Sequence, residues 1–306
     1  MVKMELHPKL FESMAEQELD LTALSRVGMM RQKQPDYYVM RLKAVAGDLS
    51  ASDLLTIALV AEQYGRGFVH LSTRQGVEIH YVHSDNLEPA RLALQQAGIE
   101  MGACGPRVRV IVACPGGETC RWGVIDTKKI ARELDTRYFK KETPSKFKLA
   151  VTGCANNCTK ANENDIGIRG AIEPEWSSPE CTDCGLCVSL CPLHAIERKD
   201  SDEGYSYVID QDRCINCSVC TSLCPPNAWV AGRKGYTFFI GGTMGRIPRF
   251  ASVLKKMVVT DEELYLLIER AIALFREKGR KKERFGHMID RIGLESVREE
   301  LLGEQG

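Results

Sequence analysis

Thirteen cysteines carry the chemistry that this chain can do. Eight of them stand in two runs, CTDCGLCVSLCP from Cys181 to Pro192 and CINCSVCTSLCP from Cys214 to Pro225. Each run reads C-x2-C-x2-C-x3-C-P, a spacing that serves a pair of [4Fe-4S] cubanes. Three closely spaced thiolates grip three irons of one cubane, and the fourth cysteine of the run crosses to the other cluster. The spacing therefore assigns Cys181, Cys184, Cys187 and Cys224 to one cluster and Cys214, Cys217, Cys220 and Cys191 to a second. Structural zinc takes four tetrahedral ligands, usually as two separated pairs, and fits these tandem runs poorly. Four more cysteines form a C-x5-C pair, Cys114 and Cys120, and a C-x3-C pair, Cys154 and Cys158. Four thiolates satisfy one further cubane, although this spacing alone also admits a zinc knot or a plain Fe–S cluster. The glycines of ACPGGETC let backbone approach a bulky group closely. Cys104 is left over and reads as a small buried hydrophobe.

The elements that must position these thiols follow from periodicity and caps. Residues 36–44 alternate and read as a strand, Ser50 caps a helix over about 52–64, and 68–71 and 77–82 read as strands. Asn86 is expected to cap a helix over 87–97 that ends at Gly98. This β-α-β-β-α order suggests a ferredoxin-like α+β sandwich. Residues 105–175 give strand, cysteine loop, helix, strand, cysteine loop and strand. YTFFI (236–240) reads as a returning strand, and a helix follows at about 260–279. Residues 1–26 read as a mostly helical arm.

Composition narrows the class. The chain has 306 residues, 44% hydrophobic and 27% charged, with 41 basic and 41 acidic side chains. That balance supports a sizeable core and argues against a general nucleic-acid binder. The basic run REKGRKKER (276–284) reads as a solvated helix end or a docking surface. The longest apolar run, Leu54–Ala61, is too short to span a bilayer, and the first residues are charged where a signal peptide needs apolar ones. The expectation is a soluble, cytoplasmic protein. An odd cysteine count without an export signal argues against a disulfide framework. No G-x-G-x-x-G follows a predicted strand, so no nucleotide site is indicated.

The second cysteine group, C-x5-C then C-x3-C, resembles the signature of the sirohaem-dependent sulfite and nitrite reductases. Other segments are similar to that family in the same order: YYVMRLKAVAGDLS (37–50), HLSTRQGVEIH (70–80), RVRVIVACPG (107–116), PSKFKLAVTGC (144–154) and GGTMGRIPR (241–249). The inserted ferredoxin runs and the tail FGHMIDRIGLESVREELL (285–302) resemble the branch that holds the catalytic C subunits of anaerobic sulfite reductases and single-repeat dissimilatory-type enzymes.

The resemblance implies an arm over 1–26 and a ferredoxin-like half domain over 27–104. It also implies a sirohaem-[4Fe-4S] α/β domain over 105–175 and 232–306, with a two-cluster ferredoxin domain inserted at 176–231. It implies sirohaem and three [4Fe-4S] clusters, Cys158 bridging one cluster to the sirohaem iron. Arg41, Arg109, Lys146 and Lys148 become the anion-binding quartet. Lys146 and Lys148, two apart on a predicted strand, share one face, with Phe147 on the other. Lys43, His70, Arg74, Asn156, Gly242, Arg246 and Arg249 become candidates for contact with the cofactor, the cations pairing with its carboxylates. Lys43 and His70 stand where the assimilatory enzymes tend to carry Arg. His70, His80 and His83 are not expected to ligate iron, since a cysteine already does. The implied activity is six-electron reduction of sulfite to sulfide, with electrons from a separate donor protein. The chain would work as a homo-oligomer or as a subunit of a hetero-complex, two copies completing each other's site. Nitrite reduction to ammonia and a sirohaem-free electron-transfer module are the competing readings.

Overall fold

The computed structural model describes residues 21–202 and 204–303. All but the last six residues of the expected N-terminal arm lie outside these; Leu21–Arg26 forms helix α1. The described residues divide into two compact units, one of 21–110 with 138–142, the other of 111–137 with the described residues from 143 to 303.

The first unit is a four-stranded antiparallel sheet backed by two helices. Its strands are β1 (Met29–Arg31), β2 (Tyr37–Leu42), β3 (Val69–Leu71) and β4 (Val77–His83), in the order β1-β2-β4-β3. Alternation in YYVMRL buries Tyr38, Met40 and Leu42 and turns Arg41 to the other face. Helix α2 (Ala51–Tyr64) starts in a capping box, with the Asp53 amide donating to Ser50 Oγ at 3.0 Å and the Ser50 amide to Asp53 Oδ2 at 2.9 Å. Helix α3 (Leu87–Gln96) buries Leu87, Ala90 and Leu94. Asn86 gives it no side-chain cap, contrary to expectation: its backbone is already helical there, so its side chain does not reach back to a free amide. Gly98 at φ +78° closes the helix, with the Ile99 amide reaching Leu94 O at 2.9 Å.

The second unit is built on a mixed five-stranded sheet in the order β11-β10-β7-β6-β5. Strands β5 (Val112–Ala113), β6 (Leu149–Thr152) and β7 (Ile166–Trp176) run parallel, with helix α4 (Thr127–Tyr138) between the first two in sequence. A segment between β7 and β10 carries helix α5 (Leu186–Leu190), the hairpin β8 (Ile196–Ser201) and β9 (Gly204–Ile209), and helix α6 (Val219–Leu223). Strand β10 (Trp229–Ile240) then returns antiparallel to β7, and β11 (Ser252–Val258) closes the edge. The returning strand is longer than YTFFI because it already pairs with β7 from Trp229, opposite Trp176. Helices α7 (Asp261–Lys278), α8 (Phe285–Ile292) and α9 (Leu294–Leu302) complete the unit. Phe147, Phe275 and Phe285 meet with ring centroids 5.4–5.6 Å apart and are fully buried. Within the basic run 276–284, Lys278 meets Glu300 and Arg284 meets Asp165.

One buried ion pair fixes the entry to β6. Asp165 is fully buried; its Oδ2 accepts Arg284 Nη2 at 2.6 Å and the Lys148 amide at 2.9 Å. Burial pushes this carboxyl up, and the Arg284 guanidinium pulls it back. Arg284→Ala leaves the buried carboxylate without its guanidinium partner, at an expected cost of about 3–5 kcal/mol. Without the guanidinium the raised Asp165 carboxyl is best tolerated when protonated. Urea unfolding should therefore find a deficit at pH 8 that narrows as pH falls toward 5.5; a deficit independent of pH contradicts this.

Candidate cluster and anion site

Parallel strands place the first four thiols. Cys114 follows β5 and Cys154 follows β6, so two neighbouring carboxyl ends present cysteines side by side. Cys114 Sγ accepts the Gly153 amide at 3.1 Å. Burial pushes the Cys154 thiol up, Cys120, Cys158 and Cys114 push it further, and the Asn156 amide pulls it down. The other three cysteines thus lie close enough for Cys154 to feel their charge. Cys114 is buried, Cys120 and Cys154 are half-buried, and Cys158 is exposed.

Backbone contact makes this possible. A Cβ on Gly123 would lie 2.4 Å from the Gly116 carbonyl carbon, and one on Gly116 would lie 2.3 Å from Thr127 Oγ1, in a residue that also holds φ +67°. No side chain fits at either place, so the Cys114–Cys120 loop folds flat against its neighbours. The Cys154–Cys158 loop is held by Asn157, which sequence reasoning passed over in favour of Asn156. Asn157 adopts φ +53°, donates to Asn162 Oδ1 and accepts the Ala161 amide, both at 2.8 Å. The signal was its type, since Asn tolerates left-handed backbone and bonds locally. Asn156 is exposed and contributes its amide to Cys154.

The other eight cysteines line two partly open pockets. One, of about 400 Å³, has Cys191, Cys214, Cys217 and Cys220 on its walls. The other, of about 270 Å³, has Cys181, Cys184, Cys187 and Cys224. Each pocket takes three thiols from one run and the fourth from the other. The backbone repeats to achieve this: left-handed residues recur in matched positions, Asp183 and Asn216, Gly185 and Ser218, His194 and Asn227. Helices α5 and α6 each start just after the second of these pairs and end at the crossing cysteine. Among the described residues no three Cys, His, Asp or Glu side chains are set to hold a single ion. In each pocket the four cysteines line one shared space, the lining that a multi-iron group would need.

The basic candidates fall in different surroundings. Lys146 is exposed and Lys148 half-buried, flanking the fully buried Phe147 as period two requires; both lie just ahead of β6, not on it. In the first unit, Arg41 Nε is 2.8 Å from Glu78 Oε1, and its Nη1 is 3.5 Å from Cys104 Sγ. Cys104 is buried, as a small hydrophobe would be, and its sulfur also meets Met30 Sδ at 3.4 Å. Arg109 donates to the carbonyls of Ala103 and Gly105 at 2.6 and 3.1 Å. Arg74 donates to Val110 O at 3.1 Å, and Lys43 pairs with Glu100 at 3.3 Å over the Phe139 ring. His70 is exposed, with its ring 5.5 Å from His80. In the second unit, Gly242 packs on the carbonyls of Asn162 and Asn164, where a Cβ would come within 2.6 Å. Its segment therefore lies against the loop that follows Cys158. Arg249 is held by Asp290 at 2.8 Å and by the Gly241 carbonyl at 2.9 Å, while Arg246 projects from the exposed turn between them.

Residues 104–305 match the family described as "Nitrite and sulphite reductase 4Fe-4S domain", and residues 30–97 match "Nitrite/Sulfite reductase ferredoxin-like half domain". The chain belongs to the nitrite and sulfite reductase family. It is 30% identical over 267 residues to the coenzyme F420-dependent sulfite reductase of Methanocaldococcus jannaschii, covering 86% of this chain and 42% of that protein. It is 30% identical over 167 residues to one of the subunits of the anaerobic sulfite reductase of Salmonella typhimurium, covering 50% and 49% of the two chains. The chain thus spans less than half the length of these two relatives. The crystal structure of dissimilatory sulfite reductase I shares the fold at a TM-score of 0.71 and 19% identity, over 87% of this chain and 69% of that one. No helix among the described residues is long and apolar enough to cross a membrane.

The crossed pockets make a pairing prediction. Cys224→Ala should reproduce the iron loss and EPR spectrum of Cys181→Ala, and Cys191→Ala those of Cys214→Ala. The opposite pairing contradicts the crossing.

Proposed function

We propose that the chain is a sirohaem-[4Fe-4S] sulfite reductase, catalysing SO3(2−) + 6 e− + 7 H+ → HS− + 3 H2O. The observation that carries the reading is the first thiol set: three sheltered cysteines and an exposed Cys158, at the carboxyl ends of two parallel strands. The exposed sulfur suits a ligand shared between a cluster and a second iron group. In this reading Cys114, Cys120, Cys154 and Cys158 hold the coupled cluster. The segment 176–231 is an inserted ferredoxin domain whose two clusters use the crossed cysteine sets. When bound, these groups would relay electrons from the donor and provide the iron chemistry that reduces the anion. The protein's own part is charge and protons. A small dianion cannot enter a low-dielectric pocket unpaired. Arg41 and Arg109 supply fixed, planar cations, while Lys146 and Lys148 offset charge and carry protons at Nζ toward the leaving oxygens. Lys43, His70, Arg74, Asn156, Gly242, Arg246 and Arg249 remain the candidates to line the macrocycle, Lys43 and Arg249 by exchanging their present acidic partners for its carboxylates. Thirteen unpaired thiols suit a reducing compartment, so the cytoplasm is the proposed location. A separate protein, a ferredoxin or flavin/Fe–S reductase subunits, is the proposed electron donor.

Lys148 and Cys154 lie at opposite ends of β6, on the order of 15–20 Å apart at about 3.3 Å per residue. That separation supports a second copy of the chain as the partner, the cations of one copy serving the cofactor of the other. Co-expressed Lys148→Ala and Cys158→Ala chains, each inactive alone, should then regain about a quarter of wild-type turnover through mixed dimers. No recovery in a mixture that light scattering shows to contain mixed dimers contradicts the exchange.

The family descriptions name nitrite beside sulfite, which keeps nitrite reduction to ammonia as the second reading. Turnover with reduced viologen decides. The account expects kcat/KM to favour sulfite, with six viologens oxidised per sulfide formed. A preference for nitrite selects the second reading. Protein that carries its iron–sulfur clusters, takes up no sirohaem and turns over neither anion selects the sirohaem-free electron-transfer module.

A further inference from the structure

Arg169 stands in the middle of β7, paired laterally with Thr152 of β6 and Thr237 of β10. Its Nη2 donates to the Ile215 carbonyl at 2.9 Å and to Thr237 Oγ1 at 3.3 Å, and its guanidinium lies 5.2 Å from the Phe239 ring centroid. Ile215 is the residue after Cys214, inside the Cys214–Cys217 loop. Thr152 lies two residues before Cys154. Three residues further along β7, the Ile172 amide donates to Asn216 O at 3.1 Å. The loop that carries two thiols of one set is therefore docked by Arg169 and Ile172 onto the strand beside β6, whose end carries Cys154.

Among the described residues no carboxylate pairs with Arg169, and its Nε is buried without a hydrogen-bond partner. A half-buried guanidinium with one buried, unpartnered nitrogen is favoured by negative charge nearby. Burial does weaken its hold on the proton, and the groups that oppose this are Cys217 and Cys154. One cation thus stands between the Cys214–Cys217 loop, which it holds through the Ile215 carbonyl, and Thr152 on β6, two residues before Cys154.

We propose that Arg169 is a positioning residue between two clusters: it fixes the Cys214–Cys217 loop beside the Cys154 turn, and its charge stabilises the reduced form of the cluster on each side. The proposal rests on the reading that both thiol sets hold [4Fe-4S] clusters. Reduction of either cluster adds one electron from the external donor and changes none of its atoms. The added negative charge is opposed by the guanidinium, so both reduction potentials lie higher than they would without it. Electron passage between the two sites then needs neither a large gap in potential nor a movement of the loop.

The test is an EPR-monitored dithionite titration of the loaded full-length chain. Arg169→Gln keeps a donor for the Ile215 carbonyl and removes the charge. Arg169→Lys keeps the charge. In Arg169→Gln the Cys214-set and Cys154-set clusters should each become at least tenfold harder to reduce, about 59 mV for one electron. The Cys181-set cluster should stay as in wild type, and Arg169→Lys should stay near wild type throughout. Unchanged potentials in Arg169→Gln, or an equal shift of all three clusters, overturn the proposal. If Arg169→Gln does not keep its iron, Arg169→Lys decides: wild-type potentials support the role of charge, and a tenfold loss overturns it. Iron content and cluster signals of the wild type test the occupancy reading separately, since they do not depend on Arg169.

Discussion

Sulfurs drawn together resist being ionised together, and the second unit is organised around that constraint. Burial pushes the Cys220 thiol up to about 12, with Cys217 and Cys214 adding to the effect. Burial raises Cys154 as well, and its three neighbours add to it. A positively charged metal core removes the conflict, because thiolates are its ligands and their mutual repulsion becomes attraction to iron. The amides of Gly153, Asn156 and Ala195, aimed at sulfur, work in the same direction.

The backbone has to come close for this to happen, and two solutions appear in one unit. Around Cys114 it is glycine against glycine, at separations that exclude any Cβ. In the inserted segment it is left-handed turns, repeated in both cysteine runs, that fold each short helix back so that its last cysteine reaches the other run. Strand β7 joins the two solutions. It pairs with β6 and β10, carries Arg169, and receives the Cys214–Cys217 loop. The same rigid sheet holds Lys148 through Asp165 and Arg284, well away from the cysteines at the far end of β6.

Much of this was legible in the residues. The alternation of YYVMRL, the Ser50 capping box and the apolar stretch YTFFI each gave the right element, because each is a local preference that the core reinforces. The two crossed cysteine assignments, Cys191 and Cys224, followed from spacing, and the pockets group the same thiols. What escaped notice depends on distant partners. Asp165 reads as an ordinary loop acid until Arg284, far along the chain, buries it. Arg169 sits in a run of apolar strand residues, and nothing local says that the Ile215 carbonyl will meet it. Asn86 read as a cap but is itself helical. Lys43 and Arg249 were nominated for a cofactor that sequence cannot weigh against Glu100 and Asp290, acids to which they are paired.

The central claim is that the exposed Cys158 shares its cluster with a haem-type iron that leaves a position open for the anion. An anaerobic visible spectrum of protein produced with a sirohaem supply tests this most directly, taken under reducing conditions before and after adding sulfite. The account predicts sirohaem bands toward the red that shift when sulfite is added, and that are absent from Cys158→Ala. A broad iron–sulfur absorption without haem bands, in protein carrying its full complement of clusters, would contradict it.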